Sequence, residues 1–443
     1  MDKTRRKLQI RTKYSSNILI SMLLISIHLI LFLANEKGSM NILIAFFVVI
    51  TDVIMVYKCR NNWFSLVIAG VIAYYNYSIC IAEYIFVFRN TYYTHYYGTE
   101  YANKGLIILA AFNLMLFVIM LRISEYSGKR RTDCSILEDN RNNKVIVIIL
   151  SVVLVLIWFF GFKRPEHVGE RGTPSTYFEY SIILIILGYY YCGTGKLRMK
   201  TLTLISFAYV ILNFLYGGRA TGVQILLCLA LCIWANRISN KMLFVGALII
   251  FFLMTLIGIM RASWTLDSES VSNVYSRLLD NKFTNDTAYS AYHTSLTFIN
   301  YLEMVDWRGR VLLFFRFLLS VFVGGSVPSS NLSIITRQFF VHSYGGVLPF
   351  YMYFYLGYSG LVIIAIYMFI ILKKVIKSSN SHNGLGRCIG IYITSTSLRW
   401  YVYSPFQITR GVMLMVICFY ILSLIDSLFK KMQYHEESKV SQE

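Results

Sequence analysis

Apolar stretches of about twenty residues recur along the chain and alternate with short polar connections. As a helix, a stretch of that length crosses a hydrocarbon layer roughly 30 Å thick. The pattern predicts spans over 16–34, 40–57, 63–88, 105–121, 145–162, 178–192, 201–216, 220–236, 242–260, 344–372, 388–403 and 411–429. Residues 261–343 are predicted as one long connection. Within it, 311–323 is apolar but short and carries Arg316 in its middle, which suits a helix lying in the membrane interface. The chain thus divides into spans over 1–260, the long loop 261–343, and a last group of spans with a polar tail over 344–443. The expected fold class is an all-α integral membrane protein with about twelve transmembrane helices.

Composition supports this reading. Of 443 residues, 56% are hydrophobic and only 14% charged, against about 25% charged in soluble domains. The net charge of +20 gives no reason to expect nucleic acid, because the basic residues sit in short connections where they set membrane orientation. With the N-terminus inside, inner segments hold 26 of the 42 Lys and Arg. Outer segments hold the other 16, and seven of those fall in 261–343. Long loops cross a membrane largely regardless of charge. Without that loop the split is 26 inside to 9 outside, so both termini are expected on the inner side. The run 16–34 exceeds the apolar core of a signal peptide and is expected to stay as the first span. The predicted outer loops contain no cysteine, so no disulfide is expected.

The motif search excludes several chemistries. The chain has no G-x-x-x-x-G-K-[ST] loop, no H-E-x-x-H and no G-x-S-x-G. An ATP-driven pump, a zinc protease and a serine hydrolase are therefore disfavoured. The outer basic residues are 12 Arg and 4 Lys, whereas the inner ones are 11 Arg and 15 Lys. Arginine holds phosphate through a planar fork and stays charged. Arginines at outer helix ends therefore point to an anionic ligand at that surface.

The sharpest candidates are Arg219 and Arg261. Arg219 lies in YGGRATG (216–222), where Gly217 and Gly218 allow a tight turn before a helix. Arg261 ends the next outward span in GIMRASW. Arg316 and Arg337 flank the apolar piece of the long loop. His342, in VHSYGGVLP (341–349), sits where the loop enters the following span, and a neutral imidazole there suits proton transfer from a hydroxyl. Within spans, His28, Asp52 and Glu83 are ionisable groups, which keeps a transporter reading in play.

The layout resembles the Wzy-type O-antigen and capsule polysaccharide polymerases, the oligosaccharide repeat-unit polymerases. The resemblance is carried by the dozen spans, by YGGRATG at an outer turn with Arg261 at the next outer end, and by the long loop closing on HSYGGVLPFYMYFYLGYSG (342–360). It implies a GT-C-like polymerase or ligase fold in a bacterial cytoplasmic (inner) membrane. It implies a glycosyltransferase that moves a glycan from undecaprenyl pyrophosphate onto another lipid-linked repeat unit, with no nucleotide, metal or other cofactor expected. Arg219 and Arg261 would then hold the pyrophosphate, with Arg316 and Arg337 as further donors. His342 would act as base or orient the acceptor. Gly217, Gly218 and Tyr344, in the same two motifs, complete the implied substrate-binding set. Partners would be membrane lipid, the lipid-linked oligosaccharide, a flippase and a chain-length regulator. The alternatives are an O-antigen-type ligase, which shares the chemistry, and a lipid-linked oligosaccharide flippase or other transporter.

Overall fold

In hydrocarbon every backbone amide must pair within its own segment, so apolar sequence of this kind is held to helix. A computed structural model describes residues 2–86, 99–126, 141–166, 172–216, 218–234, 286–324, 327–343, 345–379 and 383–440, with isolated positions between 242 and 284. Seven of the helices among the described residues are long and apolar enough to cross a membrane. They are Asn17–Ala34, Asn41–Cys59, Trp63–Ile85, Glu100–Ile123, Lys196–Leu215, Tyr358–Ser378 and Phe406–Met432. Two shorter apolar helices, Lys144–Phe160 and Arg219–Trp234, also match predicted spans. The chain is therefore an all-α protein of membrane type. The predicted span 242–260 lies almost wholly outside the described residues.

Contacts divide the chain into two units, each assembled from separated stretches. The first comprises 1–132, 247–377 and 397–406. It holds α1 (Asp2–Ala34), α2 (Asn41–Cys59), α3 (Trp63–Cys80, continued by a π turn over Ile81–Ile85) and α4 (Glu100–Tyr126). The second comprises 133–246, 378–396 and 407–443. It holds α5 (Lys144–Phe160), a hairpin of β1 (Phe162–Lys163) with β2 (Thr173–Pro174), α6 (Thr176–Tyr191), α7 (Lys196–Leu215) and α8 (Arg219–Leu229).

The segment predicted as a long loop is largely helical where it is described. It contains α9 (Asp286–Tyr301), α10 (Trp307–Val323) and α11 (Leu332–Thr336), all within the first unit. Helix α10 contains the expected interfacial piece. It turns Phe317, Ser320 and Val321 inward and leaves Leu312, Phe315, Leu319 and Phe322 exposed, the profile of a helix bathed in lipid. Helix α9 is the larger correction. It is buried along nearly its whole length and packs on α3 and α4. Ala288, Ala291, Thr294 and Ser295 keep its side chains short, and Gly105 of α4 removes a Cβ that would overlap Leu296. Its sequence mixes hydroxyls with aromatics, so hydropathy alone reads it as loop.

Two predicted spans are broken. The stretch 344–372 becomes α12 (Leu348–Leu356) and α13 (Tyr358–Ser379), interrupted by Gly357 at φ +63°. The stretch 388–403 becomes α14 (Gly384–Ser395) followed by the short α15 (Ser397–Trp400). There Ser395 Oγ donates to Ile391 O at 2.8 Å and Thr396 Oγ1 to Tyr392 O at 2.7 Å. Such bonds compete with the helical ladder and end it. The final helix, α16 (Phe406–Val440), runs well past its predicted end. In the second unit, Asp426 binds Arg141 at 3.2 Å, Lys430 at 3.1 Å and Asn143 Nδ2 at 2.8 Å.

The first unit is pinned by a buried polar cluster. Asn76 Nδ2 donates to Asp52 Oδ2 at 3.0 Å and to Asn113 Oδ1 at 3.2 Å, joining α3 to α2 and α4. Asn76 Oδ1 accepts from the Tyr401 hydroxyl at 2.8 Å. Tyr75, next to Asn76, donates its hydroxyl to Leu398 O at 3.1 Å. All these side chains are buried. Asn76→Leu should lower unfolding free energy by about 1–3 kcal/mol, because it strands Asp52, Asn113 and Tyr401 together. Denaturant titration of purified protein in mixed micelles measures this, and an unchanged midpoint would show the cluster to be incidental.

Candidate functional site

In the second unit, Arg219 opens α8 directly after Gly218, and its side chain is buried. The turn is built from the end of α7. Gly218 N–H donates to Asn213 O at 2.7 Å, and a Cβ on Gly218 would lie 2.5 Å from Asn213 Oδ1. One turn on, a Cβ on Gly222 would lie 2.6 Å from the Phe214 ring. Gly218 and Gly222 thus let α7 and α8 meet closely beside Arg219. The hairpin braces the same turn: Gly172 N–H donates to Tyr216 O at 3.2 Å, and the Phe162 ring lies between those of Phe178 and Tyr216. Arg164 stands nearby in sequence to β1, its guanidinium 4.5 Å from the Trp158 ring centre.

In the first unit, His342 is buried in the turn that leads into α12. Gly345 turns the chain at φ +102°, and its N–H donates to Ser333 Oγ at 3.1 Å. Gly346 N–H donates to Val402 O at 3.0 Å and Leu348 N–H to Tyr401 O at 2.8 Å. Val347 N–H donates to Ser295 Oγ at 2.8 Å. The motif is therefore stitched to α9, α11 and the turn after α15.

Both ring nitrogens of His342 are engaged. Nδ1 faces the carbonyl of Ser343, which only accepts, so Nδ1 carries the proton. Nε2 lies 2.9 Å from Thr336 Oγ1 and accepts from it in the neutral ring. The same hydroxyl lies 3.0 Å from Leu332 O, so its one proton is shared between two acceptors. Burial pulls the ring below its ordinary value of 6.5, the Ser343 carbonyl works against this, and the charge of Arg337 adds to the lowering. A neutral base results, but its lone pair is already held by Thr336. That lone pair is open to another donor only when Thr336 gives way.

Of the other predicted residues, Arg337 is exposed just after α11 and faces His342 electrostatically. Arg316 is half-buried in the middle of α10. His342, Arg337 and Arg316 belong to the first unit and Arg219 with Gly218 to the second. Arg261, Gly217 and Tyr344 lie outside the described residues. The hydroxyls of Ser333, Thr336 and Ser295, which hold the His342 turn, were not foreseeable: single Ser and Thr residues carry no sequence signal of their own. Compared with family models, curated proteins and solved structures, the chain matches none.

The His342 geometry sets a pH dependence. Its folded-state value is depressed, so the unfolded turn takes up a proton first as pH falls. Stability of the turn should be constant above pH 6.5 and decline below it. Hydrogen exchange at Gly345 and Gly346, corrected for intrinsic rates, should accelerate below pH 6.5 in the native chain. In His342→Asn the profile should be flat. Equal pH profiles in the two proteins would exclude the neutral ring as the fastener.

Proposed function

We propose that the chain polymerises undecaprenyl-pyrophosphate-linked oligosaccharide repeat units into surface polysaccharide at the outer face of a bacterial cytoplasmic membrane, with both termini cytoplasmic. The observation that carries this reading is a buried arginine in the first turn of a helix, immediately after a glycine turn. A cation there opposes the helix macrodipole, at a cost of about 0.3–1 kcal/mol. A diphosphate at that end reverses the sign, since the guanidinium fork and the first-turn amides then face one anion. Charge building on a departing pyrophosphate gains most from such donors in a water-poor site. Arg261, Arg316 and Arg337 are proposed as further contacts to the carrier, and His342 as the residue that orients the acceptor hydroxyl or takes its proton. An O-antigen-type ligase would use the same donor chemistry with a different acceptor.

One observation favours a second reading. The buried Asp52, Asn76 and Asn113 inside three apolar helices are the kind of group that transporters place along a path. A flippase would need that cluster for delivery of repeat units, whereas a polymerase needs Arg219 for joining them. Arg219→Lys keeps the charge and loses the fork. In a producing strain it should abolish the long-chain ladder on glycan gels while single repeat units still appear at the cell surface. Normal long chains would remove the arginine clamp, and loss of single surface units as well would favour transport.

A further inference from the structure

Within the first unit, a cavity of about 200 Å³ opens where the starts of α2 and α4 meet the π turn that ends α3. It is lined by Lys37, Gly38, Asn41, Glu83, Tyr84 and Asn103, among others. Glu83 sits inside the π turn, Ile81–Ile85. Such turns interrupt regular helix at a cost and recur at functional sites. In the predicted orientation this is the outer end of the second, third and fourth spans.

The wall is fixed before any ligand arrives. Met40 N–H donates to Asn35 Oδ1 at 2.9 Å, Asn35 Nδ2 to Asn41 Oδ1 at 3.1 Å, and Asn41 Nδ2 to Asn103 Oδ1 at 2.6 Å. This relay occupies the Asn103 oxygen, and among the described residues its Nδ2 protons remain unspent. Gly38, at φ +88°, makes room for that amide: a Cβ there would lie 2.5 Å from Asn103 Oδ1. Tyr84 donates its hydroxyl to Ala102 O at 2.8 Å and accepts from Tyr292, so it is a fixed wall. The Glu83 carboxylate, by contrast, makes no hydrogen bond or ion pair among the described residues. Lys37 stands exposed at the rim.

Charge and hydrogen bonding select the ligand. An anion would meet the Glu83 carboxylate. A metal ion would find one carboxylate beside an ammonium, and no group of three or more His, Cys, Asp or Glu forms among the described residues. An apolar group would desolvate Glu83 and Asn103 without return. A neutral ring bearing adjacent hydroxyls fits: two O–H groups donate to the two carboxylate oxygens, and hydroxyl oxygens accept from Asn103 and Lys37. We infer that this cavity binds one uncharged sugar ring through Glu83 and Asn103. As the acceptor-sugar subsite of a polymerase, it rests on the function proposed above; as a sugar site it does not.

The test uses the full chain in nanodiscs of phosphatidylethanolamine and phosphatidylglycerol. Methyl glycosides of neutral hexoses and N-acetylhexosamines are the probes, with methyl phosphate, sodium chloride and cyclohexanol as controls, read by saturation-transfer NMR and calorimetry. At least one glycoside should bind, and Glu83→Ala and Gly38→Ala should each weaken it tenfold or more. If Gly38→Ala fails to fold, Glu83→Ala with partial recovery in Glu83→Gln carries the same comparison. Absence of glycoside binding, competition by methyl phosphate or sodium, or binding indifferent to Glu83→Ala would overturn the inference. Elongation is scored separately. Sugar binding lost in Glu83→Ala with a normal glycan ladder upholds the sugar site and detaches it from polymerisation. Arginine-dependent elongation without any glycoside binding sinks the subsite alone.

Discussion

Inside hydrocarbon a polar side chain has no water to fall back on, and its partner must come from the protein. In the first unit that requirement is met at Asn76. Its single amide serves two neighbouring helices and the turn after α15 at once, donating to Asp52 and Asn113 and accepting from Tyr401. Tyr401 in turn offers its backbone carbonyl to Leu348, at the start of the helix that follows His342. A continuous set of bonds therefore runs from the middle of the apolar helices to the turn with the candidate histidine. Interhelical bonds of this kind are individually modest, about 0.6 kcal/mol on average in membrane proteins. Their value here lies in direction: they fix which residues of α2, α3 and α4 face each other, and so where the loops between them emerge.

The second unit solves a different problem, that of bringing charge close to helix backbone. Two glycines and Asn213 let α7 and α8 approach, and the aromatic hairpin residues close the side. Arg219 is buried in the first turn of α8, right after Gly218, whereas Asp426 sits between Arg141 and Lys430. The two arrangements show opposite uses of the same chemistry. Asp426 neutralises Arg141 and Lys430 from within α16, whereas Arg219 keeps a positive group where the macrodipole is already positive.

Much of the membrane architecture was legible in the sequence, because apolar length is set by bilayer thickness. The helices Asn41–Cys59 and Lys144–Phe160 fall within a few residues of the predicted spans. What escaped were elements whose apolar character is diluted. Helix α9 carries Thr294, Ser295 and Thr297, whose hydroxyls donate to carbonyls of the preceding turn, so a helix with modest hydropathy is buried along most of its length. The break at Gly357 escaped for the opposite reason: its flanks are apolar throughout, and hydropathy does not register a positive φ. At the candidate sites, Arg219 and His342 were legible as residue types in glycine-rich turns. Their burial and their partners were not, since these depend on chain segments far away in sequence.

The distinction between a fastener and a reactive group is sharpest at His342. A histidine held at both nitrogens usually stabilises a turn, and the Thr336 and Ser343 bonds do that here. Yet the hydroxyl that occupies Nε2 has a second acceptor, Leu332 O, at nearly the same distance. Rotating that proton to the carbonyl leaves Thr336 intact in its helix and frees the imidazole lone pair. Exchange of one partner for another costs little, because the hydroxyl keeps one acceptor throughout. The same arrangement is therefore a closed fastener whose imidazole lone pair can be released without breaking the turn. Nearby Arg337 favours the neutral ring on which both states depend.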